Sequence, residues 1–398
     1  MNQTSRLWTG RYIAIVVMAF LFFLCVQILT AGFPAYITDI KNNPTQGGLM
    51  TTVFMLAAIV TRPLIGYLIH KINMMVLNMA GLVFVGITIA FSVGQESVGI
   101  LLFLRALHGI GFGILSTVLS TMATNIIPTR RLGEGIGYYG LATSVGTSIA
   151  PMVALSLLQY YSYSFMIILT VLLTVATLVI SFFVKTPKEK VTTAKTVKRN
   201  ITFKEYAFDK KAFLPCMLTI FFTISLGGVI SFMGELGKEA NLGGSVSLFF
   251  LVLSAMMVIV RPLSGRLFDS YGHKVIIYPG VISGIIGLYL LSITEHTFTL
   301  LLAGMFYGLA YGVVTPTLQA IAVKKVAKEK QGTANAMYFS GMDLGMAIGS
   351  TGLGAIASIT GYHFIYGFSI VFLVMLLVFY YFVNVKRKKE AQMLVELS

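Results

Sequence analysis

The feature that most constrains this chain is a run of apolar segments, each about membrane length, that recurs twelve times from one end to the other. An α-helix rises 1.5 Å per residue, so about 20 apolar residues cross the roughly 30 Å hydrocarbon core of a bilayer. Such segments lie at 12–34, 47–69, 75–93, 99–125, 136–158 and 164–184, then at 213–234, 244–266, 275–293, 299–323, 333–358 and 364–384. Of the 398 residues, 57% are hydrophobic and 11% charged, less than half the roughly 25% charged share of a soluble domain. Lipid must be the solvent for much of that surface, and the sequence predicts an all-α membrane protein of twelve transmembrane helices. The first apolar run is of full membrane length and lacks a small-residue cleavage site, so it is expected to stay as the first helix.

The formal net charge of +15 does not point to nucleic acid, because the basic residues sit in short clusters between apolar runs, as at Arg130 and Arg131 or Lys324 and Lys325. Of the 29 Lys and Arg, 24 fall at the N-terminus, in the loops that follow even-numbered spans or at the C-terminus. The opposite loops carry two, Lys41 and Lys238, and three lie inside spans: Arg62, Arg105 and Arg261. Basic loops stay on the cytoplasmic side, so both termini are expected there, in a multi-pass protein of the cell membrane. Residues 185–212 form the longest polar stretch and read as a basic cytoplasmic linker between a six-helix bundle at 1–184 and a second at 213–398. The later part of that linker (Ile201, Phe203, Tyr206, Phe208) reads either as an amphipathic helix on the anionic inner leaflet or as a solvated basic tether.

The halves align at a constant offset of 199 residues. Arg62, Pro63 and Leu64 match Arg261, Pro262 and Leu263; Gly109 and Gly113 match Gly308 and Gly312; Gly133, Tyr139 and Gly146 match Gly332, Tyr338 and Gly345. A register held from the second span to the fifth implies two pseudo-symmetric bundles of the kind that rock about a site near the bilayer midplane.

Three local patterns give the chain a family likeness. The loop after the eighth span holds Gly265, Arg266, Asp269, Gly272 and Lys274, close to a GxLxDRxGRR signature; its first-half copy, Gly66 to Asn73, has His70 in place of the acid and has lost the second glycine. The fourth span carries Arg105 followed by His108 and Gly109, similar to an RxxQG element. The fifth carries Gly137, Gly146, Ala150, Pro151 and Ala154, similar to G-x8-G-x3-GP-x2-G with alanine at two glycine positions. With these, the whole chain resembles the major facilitator superfamily, and most of all its twelve-span drug:proton antiporter branch. The resemblance implies a gating role for the 265–274 loop, a proton-coupling role for the deep arginine and an export motif in the fifth span. Read without the family, Gly137, Ala150 and Ala154 are small residues that let helices approach closely, and Pro151 removes a hydrogen bond and bends the helix.

Few ionisable side chains lie at depth: Arg62, Arg105, His108, Arg261 and Asp343. A charge at a helix centre costs about 2.5–3.5 kcal/mol on insertion scales, so each requires a reason. Arg105, His108, Gly109, Phe112 and Ser116 share one helical face, read as cavity lining, with His108 alternatively a neutral imidazole bonded inside the bundle. Arg62 and Arg261 precede prolines at a depth from which a long side chain can snorkel. Gln27, Tyr307, Tyr311 and Gln319 fall on the first and tenth spans, which the resemblance places beside the central cavity; Glu235 at the outer end of the seventh joins them as a candidate substrate contact. Asp343, roughly 15 Å from the inner end of its span, is expected to be the proton-responsive group and, through the resemblance, to pair with Arg62 roughly 12 Å from that face.

These readings predict secondary transport of lipophilic or amphiphilic small molecules by alternating access, with efflux by proton antiport, as in multidrug resistance, ahead of nutrient import or facilitated passage. The expected partners are the substrate, protons and the bilayer; a monomer suffices, and neither metal nor cofactor is implied. The two cysteines, Cys25 and Cys216, lie in apolar runs, and there is no CxxC or HExxH. One deep carboxylate makes no catalytic dyad, so an enzyme is not expected.

Overall fold

The computed structural model describes residues 6–41, 44–184, 207–242 and 245–396. Every regular element among them is helical. Twelve main helices follow in order: α1 (Gly10–Lys41), α2 (Pro44–Leu68), α3 (Met74–Ala90), α4 (Val98–Ile126), α5 (Leu132–Tyr160), α6 (Tyr163–Phe183), α7 (Lys210–Glu239), α8 (Ser245–Tyr271), α9 (Lys274–Ser292), α10 (Thr297–Lys325), α11 (Gln331–Ile348, continuing through a π turn at Gly349–Leu353 into Gly354–Thr360) and α12 (Tyr362–Glu396). Eleven of these contain a stretch long and apolar enough to span a membrane. The exception is α3, whose 17 residues rise about 26 Å. It is shorter than the apolar run suggested because the chain leaves the helix after Ala90 and turns to Gly94, which adopts a φ of 68°. Most of the 185–212 linker, including Ile201, Phe203 and Tyr206, lies outside the described residues.

The 199-residue repeat is written into the helix ends. Helix α4 runs from 98 to 126 and α10 from 297 to 325, and the 3₁₀ turns at Thr129–Arg131 and Lys328–Lys330 are likewise 199 positions apart. The fifth helix of each half loses its regularity at one register by different means. In α5 it holds Pro151, which cannot donate a backbone hydrogen bond; in α11 a π turn begins at Gly349.

The chain divides into two compact units, Met1–Phe213 with Gln319–Ser340, and Leu214–Leu318 with Gly341–Ser398. In the first, α1 packs on α2, α4, α5 and α6, and α3 packs on α4 and α6. Small residues set these approaches. A Cβ on Gly113 would stand 2.9 Å from the Ala58 carbonyl oxygen, and one on Gly146 would stand 3.0 Å from that of Phe20. Ala150 and Ala154 continue the Gly146 stripe and are fully buried. In the second unit Gly308 approaches Leu253 in the same way, and Gly341, Gly345 and Gly349 carry α11 against α7; a Cβ on Gly345 would lie 2.6 Å from the Ile220 carbonyl oxygen. With no hydrophobic force between helices in lipid, such close backbone contact is what holds them together. The apolar side chains facing outward repeat as well: Val60 is 76% exposed and its counterpart Ile259 65%, as lipid-facing positions should be.

Candidate functional site

The first unit holds three polar centres within its helices. Toward the start of α4, Arg105 is completely buried; its Nε donates to the Met50 carbonyl and its Nη2 to the Thr30 hydroxyl, both at 3.4 Å. Phe54 and Phe33 receive the guanidinium at 4.3 and 5.1 Å from their ring centres. Nη1 makes no hydrogen bond among the described residues. One turn on, His108 is buried with its ring edge-on to Phe33 at 5.8 Å. The face of α4 that carries Arg105, His108, Gly109, Phe112 and Ser116 is therefore packed against neighbouring helices of its own unit: Phe112 meets Phe22, Phe23 and Phe54, and Gly109 lies on the α2 backbone at Phe54.

Further along, Arg62 is buried and does not snorkel. Its Nη1 donates to Ser116 Oγ at 2.9 Å, while Phe112 and Phe339 flank the guanidinium at 5.3 and 5.0 Å. Through these contacts Ser116 and Phe112 hold the α2 arginine in place.

The third centre is a polar seam between the second half of α4 and the segment 319–340. Gln319 Nε2 donates to Ser120 Oγ at 2.8 Å and to Asn335 Oδ1 at 3.0 Å. Ser120 also donates to Asn335 Oδ1 at 3.2 Å, and Asn335 Nδ2 donates to Thr124 at 3.1 Å and to Thr121 at 3.4 Å. All five residues are buried. Gln319, read from the sequence as a cavity residue, is thus committed to this network. Asn335 was not singled out by sequence reasoning; only its long-range partners reveal it. Ser120 and Gln319 are 199 positions apart, so each touches its own repeat counterpart.

In the second unit, Tyr307 is buried and its hydroxyl bonds Ser225 at 2.8 Å, with Phe222 stacked beside both Tyr307 and Tyr311. Arg261 lies 5.6 Å from the Tyr311 ring centre. Asp343 is 3% exposed, in the second half of the regular part of α11. Glu235 is instead partly exposed and paired with Lys238 at 2.8 Å. In the 265–274 loop, α8 ends at Tyr271, Gly272 takes a φ of 80° that an L side chain rarely adopts, and α9 starts at Lys274. Gly265 is buried there, and Arg266 and Asp269 complete the loop motif. The first-half loop turns without that glycine: Asn73 caps α3 by accepting from the Met75 N–H at 2.8 Å. In the first unit Gln27 is half-buried on α1, and Gly137 and Pro151 lie on α5 with the small-residue stripe.

Among the described residues no cluster of three His, Cys, Asp or Glu could hold a metal ion. The sequence matches the family model described as Major Facilitator Superfamily over residues 15–350 and again over 280–395. It is 25% identical to an uncharacterised MFS-type transporter of Methanocaldococcus jannaschii, over 82% of this chain and 85% of that protein. It is 19% identical to a staphylopine export protein of Staphylococcus aureus, covering 89% and 91% of the two chains. The multi-drug resistance efflux pump PmrA of Streptococcus pneumoniae is 22% identical over 86% of this chain and 88% of its own length. In fold, the human organic anion transporter MFSD10 superposes with a TM-score of 0.80 at 14% identity, over 94% of this chain and all of that one.

Proposed function

Because this chain belongs to the Major Facilitator Superfamily, a family of transporters and not of enzymes, we propose that it is a proton-driven exporter of amphiphilic small molecules. The observation that carries the proposal is Asp343, a carboxylate 3% exposed in the middle of a membrane-length helix. A charge at that depth is costly, and a transporter that must bind and release a proton in each cycle has a use for it. In this reading Asp343 takes up the proton, Arg62 and Arg105 supply the positive groups of the coupling machinery, and His108 belongs to it as a neutral imidazole. Export is favoured by the small-residue stripe Gly146, Ala150 and Ala154 beside Pro151, and by relatives whose names describe an export protein and an efflux pump. The predominance of buried basic groups favours neutral, zwitterionic or anionic substrates over lipophilic cations. The membrane is the cell membrane with both termini cytoplasmic, as the basic loops require.

The test is flux of an amphiphile panel in inside-out vesicles, acid inside. Accumulation driven by the pH gradient is the expected result, and Asp343→Asn should abolish the gradient dependence while substrate binding stays measurable. Accumulation in right-side-out vesicles driven by an inward proton gradient would assign the chain to import instead. Unchanged gradient dependence in Asp343→Asn would remove that residue from coupling.

A further inference from the structure

The first-half loop that lost its acid is the part of the molecule that this function leaves unused. Helix α2 stops at Leu68, and the chain closes a tight turn in which the Lys71 and Ile72 amides both donate to the Leu68 carbonyl at 2.9 Å. That turn places His70 Nε2 3.1 Å from Thr333 Oγ1, in the first turn of α11. Beside it Ile69 is pressed against Gly332, where a Cβ would stand 2.8 Å from the isoleucine Cγ2. Thr333 is fully buried, so this is a packed contact between segments 263 residues apart and not a surface brush.

The surroundings are hostile to a cation. The amino end of α11 presents the positive end of its dipole to His70. Lys330, just before α11, adds positive charge; it lies 3.3 Å from Asp209, which offsets part of it. Lys71 is the next residue in the chain. Glu329 and the carboxyl end of α2 pull in the opposite direction. Burial and Lys330 outweigh them and bring the imidazole down to about 4 from the usual 6.5.

We propose that His70 is a proton-sensitive latch: the loop after α2 stays docked on the first turn of α11 while the imidazole is neutral and is released when it takes up a proton. The sign follows from linkage. The packed form binds the proton more weakly than the released form, so docking is at full strength above about pH 6.5 and is lost as the pH falls toward about 4. Between pH 7.5 and pH 5.5 the ratio of docked to released chains should fall about tenfold. The latch does not depend on which substrate is carried or in which direction.

Spin labels at Ile72→Cys and Lys328→Cys, both exposed positions, would read the contact in nanodiscs at uniform pH, in a chain whose two buried cysteines, Cys25 and Cys216, are replaced by alanine. The expected result is loss of the short-distance population, by about tenfold in ratio, on going from pH 7.5 to 5.5. His70→Gln and His70→Asp, neither of which titrates in that window, should each give a flat response. The Asp343→Asn chain should keep the native response, which separates the latch from proton coupling. A native ratio that changes less than about twofold overturns the proposal. So does a native-sized response in either His70 variant, or a response lost in Asp343→Asn with His70 intact.

Discussion

Replacing Asn335 by leucine tests how firmly the hydrogen-bonded seam holds α4 and the 319–340 segment closed on one another. The asparagine takes part in four hydrogen bonds, of which those to Gln319, Thr124 and Ser120, at 3.0, 3.1 and 3.2 Å, have good geometry and that to Thr121 at 3.4 Å is marginal. At about 1 kcal/mol net per bond the three good ones amount to about 3 kcal/mol. Side-chain hydrogen bonds measured inside membrane proteins average nearer 0.6 kcal/mol, which gives about 2 kcal/mol. The substitution should therefore shift the equilibrium away from the closed seam by about 20- to 150-fold. Ala123 is 1% exposed and one turn from Ser120, so a cysteine there reports on opening. Its labelling by a membrane-impermeant maleimide in inside-out vesicles should accelerate in proportion, until opening stops being limiting. Serine at 335, which keeps a donor and an acceptor but is shorter, should fall between. An unchanged or slower labelling rate in Asn335→Leu would refute the assignment of the seam as a closure.

Two further outcomes follow from the packing. Gly345→Ala should lower thermal stability by about 1–3 kcal/mol, because the methyl group meets the Ile220 carbonyl oxygen at 2.6 Å, whereas Gly352→Ala, with open space around it, should leave the melting temperature unchanged or higher. Arg105→Met should change stability little, since the burial cost of about 2.5–3.5 kcal/mol that it removes is set against cation–π contacts of up to about 2 kcal/mol and two long hydrogen bonds at 3.4 Å; gradient-driven flux should nonetheless fall at least about tenfold, and a variant that keeps full flux would exclude Arg105 from coupling.

Much of the fold was legible because lipid leaves so few solutions. Span number follows from apolar length, and the repeat register follows from glycines and prolines that the backbone needs at fixed places. The stripe Gly146, Ala150 and Ala154 could be read because small residues four apart have one common use in a membrane. Side-chain partners were less legible. The spacing that put Gln319 on a face of the tenth span said nothing of Ser120 or Asn335, which are distant in sequence and ordinary in type. His70 read as the loss of an acid, because a motif records which residue is missing and not what the replacement touches. Glu235 fell at the end of an apolar run, where a residue three positions on, Lys238, decides whether the carboxylate is paired at the surface.

The two halves share a backbone but not a chemistry, and the difference is where the mechanism must lie. Arg105 corresponds to Gly304, His108 to Tyr307, Asn335 to Ile136, Asp343 to Ser144 and His70 to Asp269. Backbone neighbours survive these exchanges: Arg105 donates to the Met50 carbonyl, and Gly304 sits beside the carbonyl of Phe249, the counterpart of Met50. The packing frame is thus duplicated together with the Arg62 and Arg261 pair, while Arg105, His108, Asn335 and Asp343 each occur on one side only. The seam shows the consequence most directly. Ser120 and Gln319 touch although they are repeat counterparts, and a sequence with identical halves would offer that pair two equal sets of partners. The second network cannot form, because Ile136 replaces Asn335 and the positions of Thr121 and Thr124 are filled by Ala320 and Val323. One asparagine therefore controls the contact, and a single substitution there should alter it without a compensating bond from the other half.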